Sequence, residues 1–546
     1  MRTSPTLVVI FAGAAVLAAE PRVVDLAAEG QAWWAHVQVL ADDALEGRNV
    51  GTAGFEKAVE YVERQFKTIG LRPAGTDGFR QPVKFQSRSL VAERSHLALV
   101  RDGKEEMFEI GQDATLSARA ELDGTTEASM VFLGYGLSIP EARWDDLAGI
   151  DLRGKIAVYV NAFPPAQVSD NVRSHVNTAD ERWAALKHAG AIGIATIPGP
   201  PAPAANPGRG AGEAGGARGG GAGRGGGAPQ PVIVLADREL TGQAVQVSIA
   251  LTRRGAEKVL AGTGHTLDEI DGLVRDKKPL PRFALPGTVR VQAALRRAAL
   301  ESPNVAGLVE GSDPRLRNEY VIMTAHLDHV GVGRAVNGDA IYNGAMDDAS
   351  GVASLIETAR LLKNSGAPPK RSVLFVAVTA EEKGLLGSRY FANRPTVPFA
   401  QIVANLNLDM FLPLYPLKVL EVQGFAESSL GESVRAAAAT LGVEVQTDRE
   451  PEQNRFIRSD QYSFIRRGVP ALAFKFGYEF GSPEETIRRN WVRDVYHQPN
   501  DDTKQPVNLE AAATFNRVIM TLLRRVGDDA ARPAWNADSF FKRFAK

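Results

Sequence analysis

Acidic residues and histidines arrive in three bursts in YVIMTAHLDHVG (residues 320–331), YNGAMDDASGVASLIETARLL (342–362) and RSVLFVAVTAEEKGLLGS (371–388). The runs 320–324 and 372–379 are short and rich in Val, Ile and Phe, which is typical of buried strands. Between them, the apolar residues of 350–362 recur at helical spacing. The stretch therefore predicts a strand, a helix and a second strand. The acidic residues and the histidine beside these elements are His326, Asp328, Asp347, Asp348, Glu381 and Glu382.

Each predicted strand ends on a residue able to bind a metal ion. In a parallel α/β sheet the ligand crevice lies just beyond the carboxyl ends of the strands. His326 and the pair Glu381–Glu382 fall at such ends, and a third apolar run, 401–408, ends directly on Asp409. Three residues in the same relation to their strands rarely arise by chance, so the pattern indicates one shared site.

The residue types favour zinc. Imidazole and carboxylate suit Zn²⁺, and the absence of cysteine excludes thiolate sites. Two zinc ions that share a bridging carboxylate need five ligands. The candidates are His326, Asp347, Glu382 and Asp409, together with His497 in the acidic, loop-like VYHQPNDD.

Two further carboxylates have predicted roles beside these ligands. Asp328 lies two residues after His326, so both side chains face the same way in an extended chain. We expect the Asp328 carboxylate to accept the other ring N–H of His326, which would fix the tautomer. Glu381 adjoins a ligand but points elsewhere, so we expect it to act as the general base on a metal-activated water.

The five elements HLD, MDDASG, EE, NLD and YHQPNDD, in this order, resemble the co-catalytic zinc exopeptidase family of bacterial secreted aminopeptidases and glutamate carboxypeptidase. The resemblance implies an α/β fold with a mixed, mostly parallel central sheet flanked by helices. It implies that His326 and Asp409 serve one zinc ion, that Glu382 and His497 serve the other, and that Asp347 bridges them. It also implies a cis peptide bond between residues 347 and 348.

Residues 459–464 resemble the S-D-x-x-x-F segment of the family, in which Asp460 orients a ligand or a substrate amine, or caps a helix. Some relatives carry an oxyanion-donating tyrosine just upstream, where this chain has Phe456, so Tyr462 or the metal is expected to stabilise the tetrahedral intermediate. The residues expected to contact substrate or to pack around the ligands are Asp348, Asp460, Tyr462 and His329.

The predicted activity is that of a metallo-aminopeptidase with two Zn²⁺ per chain and a peptide substrate. A carboxypeptidase on the same fold would need a cation for the terminal carboxylate, and Arg455, Arg458 or Arg489 could supply it. A glutaminyl-cyclase-like acyl transferase would bind one ion. A non-catalytic binding protein is disfavoured because all five ligand positions are occupied.

The chain has 546 residues, 44% hydrophobic composition and a net charge of −1, which predict a globular protein of two or more domains without a nucleic-acid partner. Residues 1–19 have the pattern of a signal peptide, so we expect an exported, periplasmic or secreted protein with no stable membrane insertion after cleavage; the apolar run could instead be retained as an anchor. Glu46 and Arg48, in a glycine-rich loop, are expected to form a structural ion pair or to bind substrate. The predicted peptidase domain comprises residues 20–122 and 291–527, and residues 528–546 form the tail. The short apolar strands of 123–290 resemble the protease-associated domain that many relatives carry as an insertion, which implies a mostly-β inserted domain. Its Gly-rich stretch at 207–229 is expected to be a disordered loop.

Overall fold

The computed structural model describes residues 24–121, 124–201, 231–240 and 245–545. The predicted signal peptide at 1–19 and the predicted Gly-rich loop at 207–229 lie outside these ranges. Among the helices in the described ranges, none combines the length and the apolar composition needed to cross a bilayer.

The larger sheet is mixed, and its centre is parallel. Tyr320–His326 pairs in parallel with Ser372–Val378 on one side and with Ile402–Asn407 on the other, and Ala471–Phe476 extends the parallel set. The outer pairings are mostly antiparallel. In spatial order the strands are Val232–Leu235, Arg80–Leu90, Leu295–Val309, Ser372–Val378, Tyr320–His326, Ile402–Asn407, Ala471–Phe476, Val419–Gln423 and Glu444–Thr447, with Arg72–Pro73 beside Leu295–Val309.

Helices cover both faces of this sheet, which confirms the predicted α/β class. Alternate residues of the central strand point to opposite faces. Met323 joins the core beneath the first group of helices, and Ile322 joins the core around Phe391 and Phe464 on the other face. The helices of the first face are Leu26–Leu40, Ala53–Ile69, Ser350–Asn364, Leu430–Ala439 and Leu509–Asp528. Those of the second face are Leu386–Asn393 and Gln461–Ile465, while Pro483–Asp494 lies near the site described below.

A second, eight-stranded sheet has a hydrophobic core of its own. In spatial order its strands are Lys104–Met107, His96–Arg101, Phe283–Gln292, Thr125–Phe132, Ile156–Asn161, Gly193–Pro198, Val247–Leu251 and Ala114–Leu116. The helices of this part of the chain are Asp170–Val176, Ala179–His188, Arg253–Leu260 and Leu267–Arg275. The small hairpins elsewhere are Ser138–Ile139 with Trp144–Asp145 and Gly331–Val336 with Asp339–Tyr342.

The sequence analysis placed a domain boundary between residues 122 and 123, but the strands divide between the two sheets differently. Strands within 96–116, which the sequence analysis assigned to the peptidase domain, belong to the second sheet. Val232–Leu235, assigned to the insertion, instead pairs with Arg80–Leu90 at the edge of the larger sheet. Leu90 and Leu295 are direct partners in the ladder of the larger sheet, and the only described strand between them that belongs to this sheet is Val232–Leu235. Local patterns mark a strand but do not specify its partner, so sequence alone misplaced these strands.

Candidate metal centre

The ends of three neighbouring parallel strands bring the predicted ligands to one edge of the larger sheet. His326 is the last residue of its strand, Asp409 follows Ile402–Asn407 by two residues, and Glu382 follows Ser372–Val378 by four. The side chain of His326 is almost completely buried. This is the arrangement that the pattern of strand ends predicts.

His326, Asp347 and Asp409 form a first group. Nε2 of His326 lies 3.1 Å from Oδ1 of Asp347 and 3.9 Å from Oδ1 of Asp409. Nδ1 of the same ring lies 3.0 Å from the backbone carbonyl of Asp328. A carbonyl only accepts hydrogen bonds, so Nδ1 carries a proton and donates to it, while Nε2 faces the two carboxylates and can bind a proton or a metal ion.

The predicted contact of Asp328 is therefore wrong in its atoms. Its carbonyl, and not its carboxylate, receives the ring N–H; the carboxylate lies 4.0 Å from Nδ1 of His326. The carboxylate instead accepts the backbone N–H groups of Glu381 at 3.0 Å and Glu382 at 3.3 Å. Asp328 thus anchors the predicted base and a predicted ligand through their backbone, because the turn after Val378 folds back over it.

His329, Glu382 and His497 form a second group with Asp347. Nε2 of His497 lies 3.0 Å from Oδ2 of Asp347 and 3.0 Å from Oε1 of Glu382. Nδ1 of His329 lies 3.0 Å from the same oxygen of Glu382. His497 has a φ of 55°, a left-handed conformation that is uncommon for residues other than glycine. Asp347 belongs to both groups, one oxygen facing each.

Several polar atoms of the second group are buried without a hydrogen-bond partner in the described residues. They are Oε1 of Glu382, Nε2 of His497 and both ring nitrogens of His329. Buried polar atoms are nearly always paired, so a cluster of unpaired ones needs a further group. A divalent cation fits these nitrogen and oxygen donors, and the ligand-type atoms of each group all lie within 4.8 Å of one another.

The electrostatics of the cluster agree with this fit. Burial lowers the pKa of His497, but the carboxylates of Glu382 and Asp347 outweigh it and raise that pKa to about 10. Burial likewise lowers the pKa of His326, and Asp347 raises it well above its usual value. The carboxylates thus favour a positive charge on the rings, which a bound metal ion would supply in place of the protons.

The loop that carries Asp347 is held from two sides. The peptide bond between Asp347 and Asp348 is cis, as the family resemblance implied. The Asp348 carboxylate accepts the backbone N–H groups of His326, Gly351 and Met410 at 3.0–3.2 Å, so it ties together the segments that bear the first group.

Asp501 holds the same loop from the opposite side, and sequence reasoning missed it. Its carboxylate accepts the N–H groups of Met346 at 2.9 Å and Asp347 at 3.1 Å, and burial raises its pKa to about 7. Its position four residues after His497, within the YHQPNDD element, was the only sequence signal of this role.

The residues of the segment around 459–464 that the sequence analysis singled out have other contacts. Tyr462 is buried, and its hydroxyl lies 2.6 Å from Nδ1 of His175 in the helix Asp170–Val176. Phe456 packs edge-on against Phe541. Asp460 is completely buried and makes no capping hydrogen bond to the helix that follows it.

Arg48 is structural, as predicted, but its hydrogen-bond partners are carbonyls rather than Glu46. The guanidinium is buried and donates to the backbone carbonyls of Leu327, Leu40, Asn343 and Gly344. It therefore braces the chain on both sides of the ligand-bearing segments.

The part of the chain that forms the second sheet contacts the turn that carries the predicted base. Arg119 donates to the backbone carbonyl of Lys383 at 3.1 Å, one residue after Glu382. Asp180 accepts a hydrogen bond from Arg389 at 2.7 Å in the helix that follows this turn. The second sheet is thus attached directly beside the candidate centre.

Residues 304–523 match Peptidase family M28. This M28 segment contains all five predicted ligands and confirms the family resemblance of the motifs. The strands of the second sheet lie outside this segment, so the match assigns no family to them.

Several curated proteins resemble parts of this chain. Probable leucine aminopeptidase 2 of Aspergillus fumigatus is 34% identical over 189 residues, 33% of this chain and 34% of that protein. Leupeptin-inactivating enzyme 1 of Streptomyces exfoliatus is 30% identical over 171 residues, 31% of this chain and 35% of that protein. The chain thus spans about a third of the length of these relatives.

The fold as a whole resembles a solved structure. The aminopeptidase from Aneurinibacillus sp. strain AM-1 superposes with a TM-score of 0.51 and 19% identity, covering 93% of this chain and 97% of that one. At this identity the likeness establishes a shared fold, which extends beyond the M28 segment.

Proposed function

We propose that this chain is a zinc-dependent aminopeptidase that removes N-terminal residues from peptides and binds two zinc ions. One observation carries the proposal: the two carboxylate oxygens of Asp347 face two separate groups of nitrogen and oxygen donors. The first group would hold one ion through His326, Asp347 and Asp409. Glu382 and His497 would hold the other, with Asp347 shared between the two.

The chemistry of the bound ions is that of Lewis acids: they acidify water and polarise a carbonyl. The protein supplies the base. Glu381 is almost completely buried, and the N–H···carboxylate bond to Asp328 holds its backbone. A Glu381 carboxylate oxygen would take the proton of the attacking water and pass it to the leaving amine.

Aminopeptidase activity is favoured over carboxypeptidase activity by the surroundings of the candidate arginines. Arg455 bonds to Glu450 at 2.6 Å, and Arg489 bonds to Glu450 and to Glu485. Arg458 donates to the carbonyl of Gln453. Two of the three cations are thus engaged by carboxylates, whereas the carboxylate-rich centre suits the ammonium group of a free N-terminus.

The other two candidate functions fit these observations less well. A glutaminyl-cyclase-like acyl transferase binds one ion, whereas Asp347 is shared between two donor groups. A binding protein without metal would leave the buried donor atoms of the second group uncompensated.

A panel of chromogenic substrates tests the proposal. Aminoacyl substrates and their N-blocked counterparts would be assayed with the purified chain, with and without a chelator, alongside zinc analysis. We expect hydrolysis of the free-amine substrates only, loss of activity with the chelator and close to two zinc ions per chain. Hydrolysis of blocked substrates alone would overturn the aminopeptidase assignment, and a single ion would favour the acyl transferase.

We also propose that the protein is exported and that the second sheet is a protease-associated domain controlling access to the centre. Export rests on the pattern of residues 1–19, and the access role on the contact between Arg119 and Lys383. N-terminal sequencing of the protein from the cell envelope or medium tests the first. Kinetics of Arg119→Ala on substrates of increasing length test the second, with Arg64→Ala, an exposed helical arginine, as the control.

A further inference from the structure

The ring of His329 lies close to Glu382 and His497 but makes no well-aligned hydrogen bond that explains its position. It is completely buried, yet neither nitrogen makes a hydrogen bond to the residues that the structure describes. Its orientation comes from the backbone around it. The His329 N–H donates to the carbonyl of Arg48 at 3.3 Å, and a Cβ on Gly344 would lie 2.5 Å from Cγ of His329. Only glycine allows this approach, and Gly344 also has a φ of 63°.

The ring is aimed at the second group of donor atoms. Nδ1 of His329 lies 3.0 Å from Oε1 of Glu382 and 3.8 Å from Oδ2 of Asp347. Nε2 of His497 lies 3.0 Å from each of the same two oxygens. Ligands about 2.0–2.1 Å from a tetrahedral zinc ion are about 3.3 Å apart. These four distances of 3.0–3.8 Å are close to that spacing, and the ligand-type atoms of the whole group lie within 4.8 Å of one another.

We propose that His329 is a fourth protein ligand of the second metal ion, beside Glu382, His497 and the shared Asp347. This inference rests on the proposed function and goes beyond the five ligands that the motifs indicate. It makes the two positions unequal. Four protein ligands close a zinc site, as in structural sites, whereas three leave a coordination position open, as in catalytic sites.

The unequal positions have two consequences. The group of His326, Asp347 and Asp409 keeps the open position, so water or substrate would bind there. The closed group should hold its ion more tightly, because it offers four protein ligand atoms and the open group offers three.

A simpler role for His329 would be to donate a hydrogen bond that orients Glu382. The two roles predict different nitrogen chemistry: a ligand presents an unprotonated Nδ1 to the ion, and a donor presents Nδ1–H to the carboxylate. The two roles also predict different numbers of metal-bound histidines: three if His329 is a ligand, and two if it only donates a hydrogen bond.

NMR of the zinc-loaded full chain, labelled with ¹⁵N only at its eight histidines, distinguishes the two roles. We expect three rings to acquire the ¹⁵N shifts of metal-bound imidazole on zinc addition. One of these signals should vanish in His329→Ala. Two metal-bound rings, with His329 retaining a protonated Nδ1, would overturn the inference. The wild-type count decides the question even if the variant does not fold.

Competition with a chromophoric chelator gives a second readout. We expect the wild type to bind one zinc ion tightly and one less tightly, and His329→Ala to weaken the tight class by about 100-fold or more, beyond the effect typical of residues that only orient a ligand. The matched control is His36→Ala, a part-buried histidine bonded to Tyr61 and Glu357, which should leave both classes unchanged. Unchanged zinc binding in His329→Ala would overturn the inference, whereas failure of the wild type to bind zinc would overturn the proposed function itself.

Discussion

Two buried carboxylates, one beside each sheet, are compensated in opposite ways. Next to the second sheet, Asp113 is completely buried and its carboxylate contacts Arg254, Lys258 at 2.9 Å and the N–H of Glu109 at 2.9 Å. At the edge of the larger sheet, the near neighbours of Asp347 in its two donor groups are imidazoles and other carboxylates.

The difference separates a structural acid from a functional one. A buried charge is costly unless it is paired. Asp113 is paired within the chain, so it fastens the helix Arg253–Leu260 to the neighbouring strand without any added group. The two groups that share Asp347 contain only histidines and carboxylates, and the proposed metal ions would supply the positive charge that Arg254 and Lys258 supply to Asp113. A buried carboxylate that is paired with cationic side chains contributes to stability alone, whereas one without such partners indicates a site for a metal ion.

Removal of metal should have the largest effect on activity and stability. It should act on the region around Asp347 and leave the region around Asp113 unchanged. We expect a chelator to abolish hydrolysis and to lower the thermal midpoint of the chain, because a ligand at a thousand times its Kd stabilises the folded state by about 4 kcal/mol. Zinc should restore both. Calorimetry of wild type and Asp113→Ala, each with and without chelator, measures this. The chelator shift should be equal in the two proteins, and a shift lost in Asp113→Ala would contradict the separation of the regions.

Glu381→Gln should produce the next largest effect, confined to the chemistry. The amide is nearly isosteric but cannot take a proton, so we expect kcat to fall by about 10²–10⁴-fold. Zinc content and the thermal midpoint should stay unchanged, since Glu381 is not among the grouped ligand atoms. Steady-state kinetics and zinc analysis check this. Activity close to that of the wild type would show that another group is the base.

Asp328→Asn should have a smaller effect that reaches the centre through the backbone. An amide can accept only one of the two N–H groups that the carboxylate holds, so Glu381 and Glu382 should shift. We expect a loss of about 10–100-fold in activity or zinc affinity. Asp502→Asn, a nearby acid paired with Lys504, is the control and should behave as the wild type. If Asp328→Asn behaved like Asp502→Asn, Asp328 would not be needed to position the turn that carries Glu381 and Glu382.

Asp113 should show the smallest effect, one of stability and pH. The hydrogen bond to Arg254 and, after the opposing effect of burial, that to Lys258 hold the pKa of Asp113 well below its usual value. Its contribution is therefore fully present above about pH 4, the unfolded pKa of Asp, and is lost as pH falls through the lower folded pKa.

We expect Asp113→Asn to lower the unfolding free energy by about 1–3 kcal/mol at pH 7, and the difference from the wild type to shrink towards pH 3. Thermal denaturation of both proteins across this range measures the difference, and zinc content should be the same in both. A difference that grows at low pH would reverse the assigned sign.

Much of the centre could be predicted because its ligands adjoin elements with clear periodicity. The strands ending near His326, Glu382 and Asp409 are continuous apolar runs, and their parallel order brings their ends together. The parts that were missed depend on contacts between distant segments. Asp501 is 154 residues from Asp347 and bonds to its backbone, and the carbonyl rather than the carboxylate of Asp328 meets the His326 ring. A residue type does not specify which of its oxygens is used.

By itself, the amino-acid sequence determined the α/β class and the order of the motifs, and it indicated the five candidate ligands, because hydrophobic periodicity and residue chemistry are local properties. Only the tertiary structure decided that residues 96–116 join the second sheet, that Val232–Leu235 joins the first, and that the ring of His329 faces Glu382. Strand partners and ring orientations depend on the packing of residues far apart in the chain, where many pairings satisfy the same local pattern and only one satisfies all of them together.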